Sequence, residues 1–410
     1  MTLLRSRRLA VPLRLRSTEQ AHRKVTWLEL FFDLIFVAAV AQVAAPLRDA
    51  YSLAGLIRFT PLFLLIWWAW TGHSVFSTRF DTDDAVQRAL TLVQMFAVAV
   101  MAANATDALD SRASAGFAAS YAAVRLVLVA QYGRARRVPG ARALSTRYVA
   151  GHGAAALLWL TSALVPVPAR FWIWGVAFAI DLATPWTALT HSIETPPDAA
   201  HLPERFGLFT LILLGEAVVA VMKGMESQEA WPAAAALSAF LGMTIIFLMW
   251  AWYFDGIDAA AERPVRSRRD AWRLHVWSYA HFPLAVGIVV TGAGVERIVT
   301  AAARHQLTFG EGVILFGAAA LVMAAMTTLS GASTNPAHRP PARIGIHLLV
   351  AAATAACGAS GIVSTPPSAV AILATAFAAQ LAAALAPHAT RRAALAAATA
   401  ANVDARRHAG

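Results

Sequence analysis

Residues 25–45, VTWLELFFDLIFVAAVAQVAA, set Glu29 and Asp33 one helical turn apart inside a run otherwise apolar enough to enter a bilayer. Carboxylates are costly in hydrocarbon, so those that persist in a membrane helix are candidates for function. Outward from this stretch, apolar runs of similar length recur almost end to end, at 56–77, 87–104, 115–132, 147–165, 170–190, 205–223, 233–254, 274–294, 310–330, 344–363 and 368–386. Each is near the ~20 residues with which a helix crosses ~30 Å of hydrocarbon. The expected fold class is therefore all-α, a polytopic integral membrane bundle of about twelve transmembrane helices. With 58% hydrophobic and 14% charged residues, nothing between the runs suits a soluble domain. The ten-residue alternation of a β-barrel is absent.

Basic residues orient the bundle, because Lys and Arg beside spans are retained on the cytoplasmic side. With the N-terminus inside, 26 of the 34 Lys and Arg fall on inward segments, seven on the outward side, and Arg125 lies within a span. Both termini are thus expected in the cytoplasm and the protein in the plasma membrane. The chain divides into a basic N-terminal segment at 1–24, a transmembrane bundle at 25–386 and a cytoplasmic tail at 387–410. The basic start resembles the charged region of a signal peptide, but the apolar run that follows is too long and too interrupted, and reads as an uncleaved first span. The net charge of +11 sits in short loops where topology explains it, so the expected partner is lipid and not nucleic acid. Cys357 is the single cysteine, which excludes an intramolecular disulfide and cysteine-built metal clusters. The longest connection, near 255–273, is too short for a domain with its own core.

An internal echo links LFLLIWWAW at 62–70 to TIIFLMWAW at 244–252, which share Trp-Ala-Trp. It suggests halves at 25–190 and 205–386 in a six-plus-six plan common among transporters.

Each charge in a span has a bland and a functional reading. Thr26-Trp27-Leu28-Glu29 has the spacing of a capping box, which alone would account for Glu29. Asp33 lies a turn deeper, beyond the reach of a cap, and must be paired, protonated or hydrated. If both face one cavity, their repulsion favours a shared proton. Glu216 follows Gly215 about eleven residues, or ~16 Å of helix rise, beyond Arg205, with no local neutralising group. Asp181 stands four residues before Pro185, which cannot donate to its carbonyl, so an interrupted helix is expected there. Arg125 needs a partner among Asp33, Asp181 and Glu216. His281, two residues before Pro283, suits a proton relay, although a lone histidine is more often a packed, hydrogen-bonded one. His73 and His347 are weaker candidates, and Trp67, Trp68, Trp70, Trp172 and Trp174 read as interface anchors and packing.

WLELFFDLIFVAAVAQ, then ERFGLFTLILLGEAVVAV and YAHFPLAVGIVV, resemble the bacterial low temperature requirement A (LtrA) family over residues 25 to about 380. By that resemblance Glu29, Asp33, Glu204, Arg205, Gly215, Glu216 and His281 occupy characteristic motif positions. The resemblance implies a polytopic inner-membrane protein linked by name to growth in the cold, and supplies no mechanism.

The expected function is a secondary transporter, proton- or cation-coupled, with an unidentified small molecule or ion as substrate. Asp33 and Glu216 exchange protons or bind the cation, Asp181 lines the path, Arg125 is the counter-charge, His281 is the relay, and Glu29 joins Asp33. For that mechanism Asp33, Asp181, Glu216 and Arg125 must converge on one hydrated cavity at mid-membrane. The alternatives are an intramembrane enzyme acting on lipid and a sensor or scaffold. An enzyme lacks support from any nucleophile or metal motif; the nearest, Asp81, Asp83 and Asp84, sits where helix capping is sufficient. No cofactor and no resident metal are expected.

Overall fold

The computed structural model describes residues 13–15, 25–81, 84–110, 113–228, 232–257, 261–301, 306–333, 341–363 and 365–386. The basic N-terminal segment apart from 13–15, and the tail from 387, lie outside the described residues. In chain order the helices are α1 (Trp27–Asp49), α2 (Leu53–Arg79), α3 (Ala85–Ala103), α4 (Ser114–Ala135), α5 (Arg142–Ala163) and α6 (Ala169–Thr187). A single turn, α7 (His191–Glu194), precedes α8 (His201–Glu226), α9 (Ala233–Ala251), α10 (Arg268–Ala301), α11 (Phe309–Gly331) and α12 (Pro341–Ser360). The last helix is α13 (Pro366–Ala386). A two-stranded ribbon pairs β1 (Arg14–Leu15) antiparallel with β2 (Phe80–Asp81), which ties the residues ahead of the bundle to the end of α2.

Ten of the described helices are long and apolar enough to cross a membrane. The expected twelve included α5 and α6, which have the length but carry Arg147, His152, Arg170 and Asp181 and fall outside those ten. Apolar side chains face outward as well as inward: Phe31 and Leu34 on α1, Phe96 on α3 and Phe247 on α9 are exposed, as a surface solvated by lipid requires.

Local chemistry sets the ends. Thr26 caps α1 in a complete capping box with Glu29, Ser52 caps α2, Asp84 caps α3, and Thr308 with Glu311 repeats the box at α11. The first span is longer than expected, because α1 continues through Pro46 to Asp49 and so takes Arg48 into the bundle.

The neighbours form a regular series. In the first half α1 packs on α2 and α3, α3 on α4, α4 on α5 and α5 on α6. In the second half α8 packs on α9 and α10, α10 on α11 and α11 on α12, and α12 meets α13 through His347 and Gln380. The halves join through α1, α2, α8 and α10. The 34-residue α10 is the buried axis of the second half. Its glycines permit close crossings: a Cβ on Gly292 would lie 2.8 Å from Ala217 of α8, and one on Gly287 2.6 Å from Val322 of α11. Small residues at such contacts let backbones approach, which is how helices gain packing energy in lipid.

Candidate functional site

The charged side chains inside the bundle form three separate groups, and α2 stands between two of them. The first joins α1, α2 and α8. Asp33 Oδ1 accepts from Arg205 at 2.6 Å and from the Trp70 indole N–H at 2.8 Å. Arg205 also reaches Glu29 at 3.4 Å and Ser74 Oγ at 3.3 Å. Glu29 divides its oxygens: Oε2 accepts from the Thr26 backbone N–H at 2.8 Å, and Oε1 lies 3.1 Å from His201 Nε2. Asp33 and Arg205 are both fully buried. The capping and functional readings of Glu29 are therefore compatible, since one oxygen serves the helix start and the other the ion pair. Asp33 and Glu29 do face each other, across a shared guanidinium.

The second group joins α4, α5 and α6. Arg125 Nε lies 2.7 Å from Asp181 Oδ2, and His152 Nδ1 lies 2.5 Å from Asp181 Oδ1. The Tyr121 hydroxyl touches both partners, accepting from Arg125 and lying 3.3 Å from Asp181 Oδ2. Arg125 and Asp181 are fully buried and His152 nearly so. An ionised carboxylate can only accept, so Nδ1 of His152 carries the proton, and in the neutral ring Nε2 is left as a lone-pair acceptor. That Nε2 has no hydrogen-bond partner among the described residues. Of the three partners considered for Arg125, the structure selects Asp181. The interruption expected at Asp181 does not occur: α6 runs unbroken to Thr187, and Pro185 falls in its last turn, where a missing donor disturbs little.

The third group lies toward the opposite end of α1 and α8. These helices run parallel, because their first turns meet at Glu29 and His201 and their later turns at Arg48 and Glu216. Arg48 is 2.7 Å from Glu216 and 3.6 Å from Glu296 of α10. Eleven residues of α8, ~16 Å of rise, separate Glu216 from Arg205. The convergence of Asp33, Asp181, Glu216 and Arg125 on one cavity is thus overturned. Their neutralising partners come from whichever helix is adjacent, and α2 and the length of α8 keep the groups apart.

The remaining histidines are settled locally. His281 sits between the Tyr253 hydroxyl at 2.9 Å and the Trp277 carbonyl at 2.8 Å and touches none of the three groups. His73 pairs with Gln94 at 2.8 Å. Asp83 and the Asp81 side chain lie outside the described residues, while Asp84 caps α3 and pairs with Arg134 at 2.5 Å. Among the described residues no cluster of His, Cys, Asp and Glu is placed to hold a metal.

A cavity of about 60 Å³ opens between α2, α5 and α10. Aromatic walls come from Trp67, Trp68, Tyr148 and Tyr279, and polar groups from His152 and Arg79. Helical spacing explains the division of labour on α2. Trp68, Gly72, Val75 and Arg79 line the cavity, whereas Trp70, Ser74 and Ser77 fall on the opposite face toward Arg205. Gly72 marks the closest approach to the second group, since a Cβ there would lie 3.0 Å from Arg125 Nη1.

The sequence marks Arg205 only as a motif position and not as the partner of Asp33, and it gives His152, His201 and Arg79 no role. A histidine between two glycines in an apolar run, Gly151-His152-Gly153, is the signal that was present.

The family model for the bacterial low temperature requirement A protein matches residues 24–401, nearly the whole chain. The chain belongs to the LtrA family. An uncharacterized protein of Rhizobium meliloti (strain 1021) is 29% identical over 293 residues, covering 69% of this chain and 71% of that relative. No solved structure matches. Family membership confirms the resemblance carried by the three quoted motifs. Two of them meet in space: Glu29 and Asp33 of the first contact Arg205 of the second.

Proposed function

We propose that this LtrA-family membrane protein is a secondary transporter whose substrate path is the aromatic cavity beside α2, with proton or cation coupling through the ion pairs on either side. The observation that carries this reading is the shared wall. One face of α2 lines the cavity next to His152 of the Asp181 group, and the other face bonds Asp33 and Arg205. A charge change at Asp33 would release Trp70, Ser74 and Ser77 together, and so alter the helix that borders the path. Asp33, Glu29 and Arg205 form the coupling group in this scheme. Asp181 and Arg125 fix His152 at the path, Glu216 with Arg48 acts at the far end, and His281 supports the packing of α10.

The helix plan supports the same reading. Much of the neighbour series of α1–α6 recurs in α8–α12, with α9 also against α10, and parallel six-helix repeats that count α5 and α6 as crossings give an even number of spans with both termini in the cytoplasm. On that orientation the cavity residues on α2, α5 and α10 all lie toward the cytoplasmic ends of their helices.

Flux into proteoliposomes, followed with an internal pH-sensitive dye across a panel of ions and small metabolites, tests the proposal. Wild-type protein gives substrate-dependent acidification or alkalinisation, and Asp33→Asn lowers it at least tenfold without loss of membrane expression. A sensor or scaffold is the second reading, favoured by the local neutralisation of each carboxylate. It predicts no flux for any solute and no difference between wild type and Asp33→Asn.

A further inference from the structure

The cavity contains a cation without a matching anion. Arg79 lies at the end of α2 and is 4% exposed. Its guanidinium donates to the Tyr148 hydroxyl at 3.3 Å and to Ser192 Oγ at 3.2 Å, and its Nε has no hydrogen-bond partner among the described residues. No described carboxylate lies within ion-pair distance of it. The nearby Asp198 accepts at Oδ1 from the Ala200 and His201 N–H groups at the start of α8. The fully buried Arg125 and Arg205 each have a carboxylate, Asp181 and Asp33, and Arg170, which has none among the described residues, places its guanidinium nitrogens on Ser114 Oγ and the Ser162 and Ala163 carbonyls, whereas Arg79 keeps an unpartnered Nε. The carbonyl end of α2 and the Tyr148 ring, 5.4 Å from the guanidinium, offset part of the Arg79 charge. Two neutral hydroxyls do not replace a counter-ion, and a buried charge left without one is strongly unfavourable.

We infer that the cavity is a binding site for a small organic anion, whose charged head pairs with Arg79 and whose apolar or aromatic body lies against Trp67, Trp68 and Tyr279. This inference rests on the proposed transport path and names the class of its cargo. The enclosed volume, about 60 Å³, admits several waters or the charged head of a ligand, since a single water occupies ~10–15 Å³ on this scale, and a ring would extend into the part of the pocket that is open. His152, whose Nε2 is buried and unpartnered among the described residues, stands in the same wall and offers a polar contact to the ligand. Tyr148 links the two polar groups, bonding Arg79 through its hydroxyl and packing its ring 5.4 Å from that of His152. An anionic lipid headgroup offers the same chemistry as a free carboxylate, and the two are separated by experiment.

The full chain is reconstituted in phosphatidylcholine nanodiscs, and binding of radiolabelled benzoate is measured against benzylamine, which keeps the ring and reverses the charge. Saturable benzoate binding is expected, with Arg79→Gln weakening it at least tenfold and Arg79→Lys by less. Far-UV circular dichroism establishes that both variants remain helical. Should Arg79→Gln not fold, Trp68→Leu is the second variant, with at least threefold weakening expected. Benzylamine binding as tightly as benzoate, no saturable binding of benzoate, or binding indifferent to these substitutions overturns the inference. Displacement of benzoate by phosphatidylglycerol in the nanodisc identifies a lipid headgroup as the natural anion, and its absence a soluble one; both support the anion site. Benzoate binding without flux in proteoliposomes leaves the anion site standing and removes the transport reading.

Discussion

The helix pairs α5–α6 and α12–α13 are both joined through a histidine. In the first, His152 Nδ1 meets the carboxylate of Asp181; in the second, His347 Nδ1 meets the amide oxygen of Gln380, whose amide N–H donates back to the His347 carbonyl at 3.0 Å. The second pair is neutral and self-contained. The first adds a full charge, needs Arg125 to balance it, and leaves Nε2 of His152, a residue that lines the cavity, without a partner among the described residues. One histidine thus closes a neutral clasp between two helices, and the other stands in an ionic site. Stability alone is served by the amide version, since buried ion pairs rarely outperform neutral packing. The charged version is the one expected to carry function.

Substitutions can break or sharpen this contrast. The largest effect is expected from Asp181→Ala, which strands the fully buried Arg125 and should cost about 3–5 kcal/mol in unfolding experiments on detergent-solubilised protein. The paired substitution Arg125→Met with Asp181→Leu removes both charges and should recover most of that loss. If the double variant is no more stable than Asp181→Ala, the cost does not come from an uncompensated charge. Gln380→Ala breaks a neutral pair and should cost less, about 1–3 kcal/mol, by the same measurement. A cost equal to that of Asp181→Ala would erase the distinction between the two helix pairs. Glu216→Gln should be milder again, about 1 kcal/mol, because Arg48 retains Glu296. The smallest effect belongs to the exposed pair Arg58 and Asp110, each more than half accessible, where Arg58→Ala should shift stability by no more than ~0.5 kcal/mol.

The spans were legible because each is a continuous apolar run, and a run is a local property. Thr26 and Glu29 were legible for the same reason: a capping box is written within four residues, and the structure forms it. The partners of the buried charges were not legible. Asp33 meets Arg205 and Glu29 meets His201 across 172 residues, and Glu216 meets Arg48 across 168, so no local window of sequence contains any of the three pairs. Trp70 shows the limit from another side. Tryptophan is frequent at membrane interfaces, and only the packing of α2 against α1 and α8 reveals a buried indole that donates to Asp33. Arg48 falls beyond the apolar run at 25–45, and only the structure shows α1 continuing through Pro46 to Asp49. His152 was passed over because its role depends on Asp181 of the following helix and on a cavity formed by α2 and α10.

A transport path beside α2 must be reachable by water and open to one side of the membrane at a time. Ser278 of α10 lines that space, and Cys357 is the only native cysteine, so Cys357→Ser with Ser278→Cys leaves a single thiol in the wall. Labelling by a membrane-impermeant maleimide, compared between right-side-out and inverted vesicles, tests that requirement most directly. The account predicts modification from the cytoplasmic face in substrate-free vesicles, and loss of flux in proteoliposomes made from the labelled protein. A thiol unreactive from both faces, or full flux after complete labelling, would contradict it.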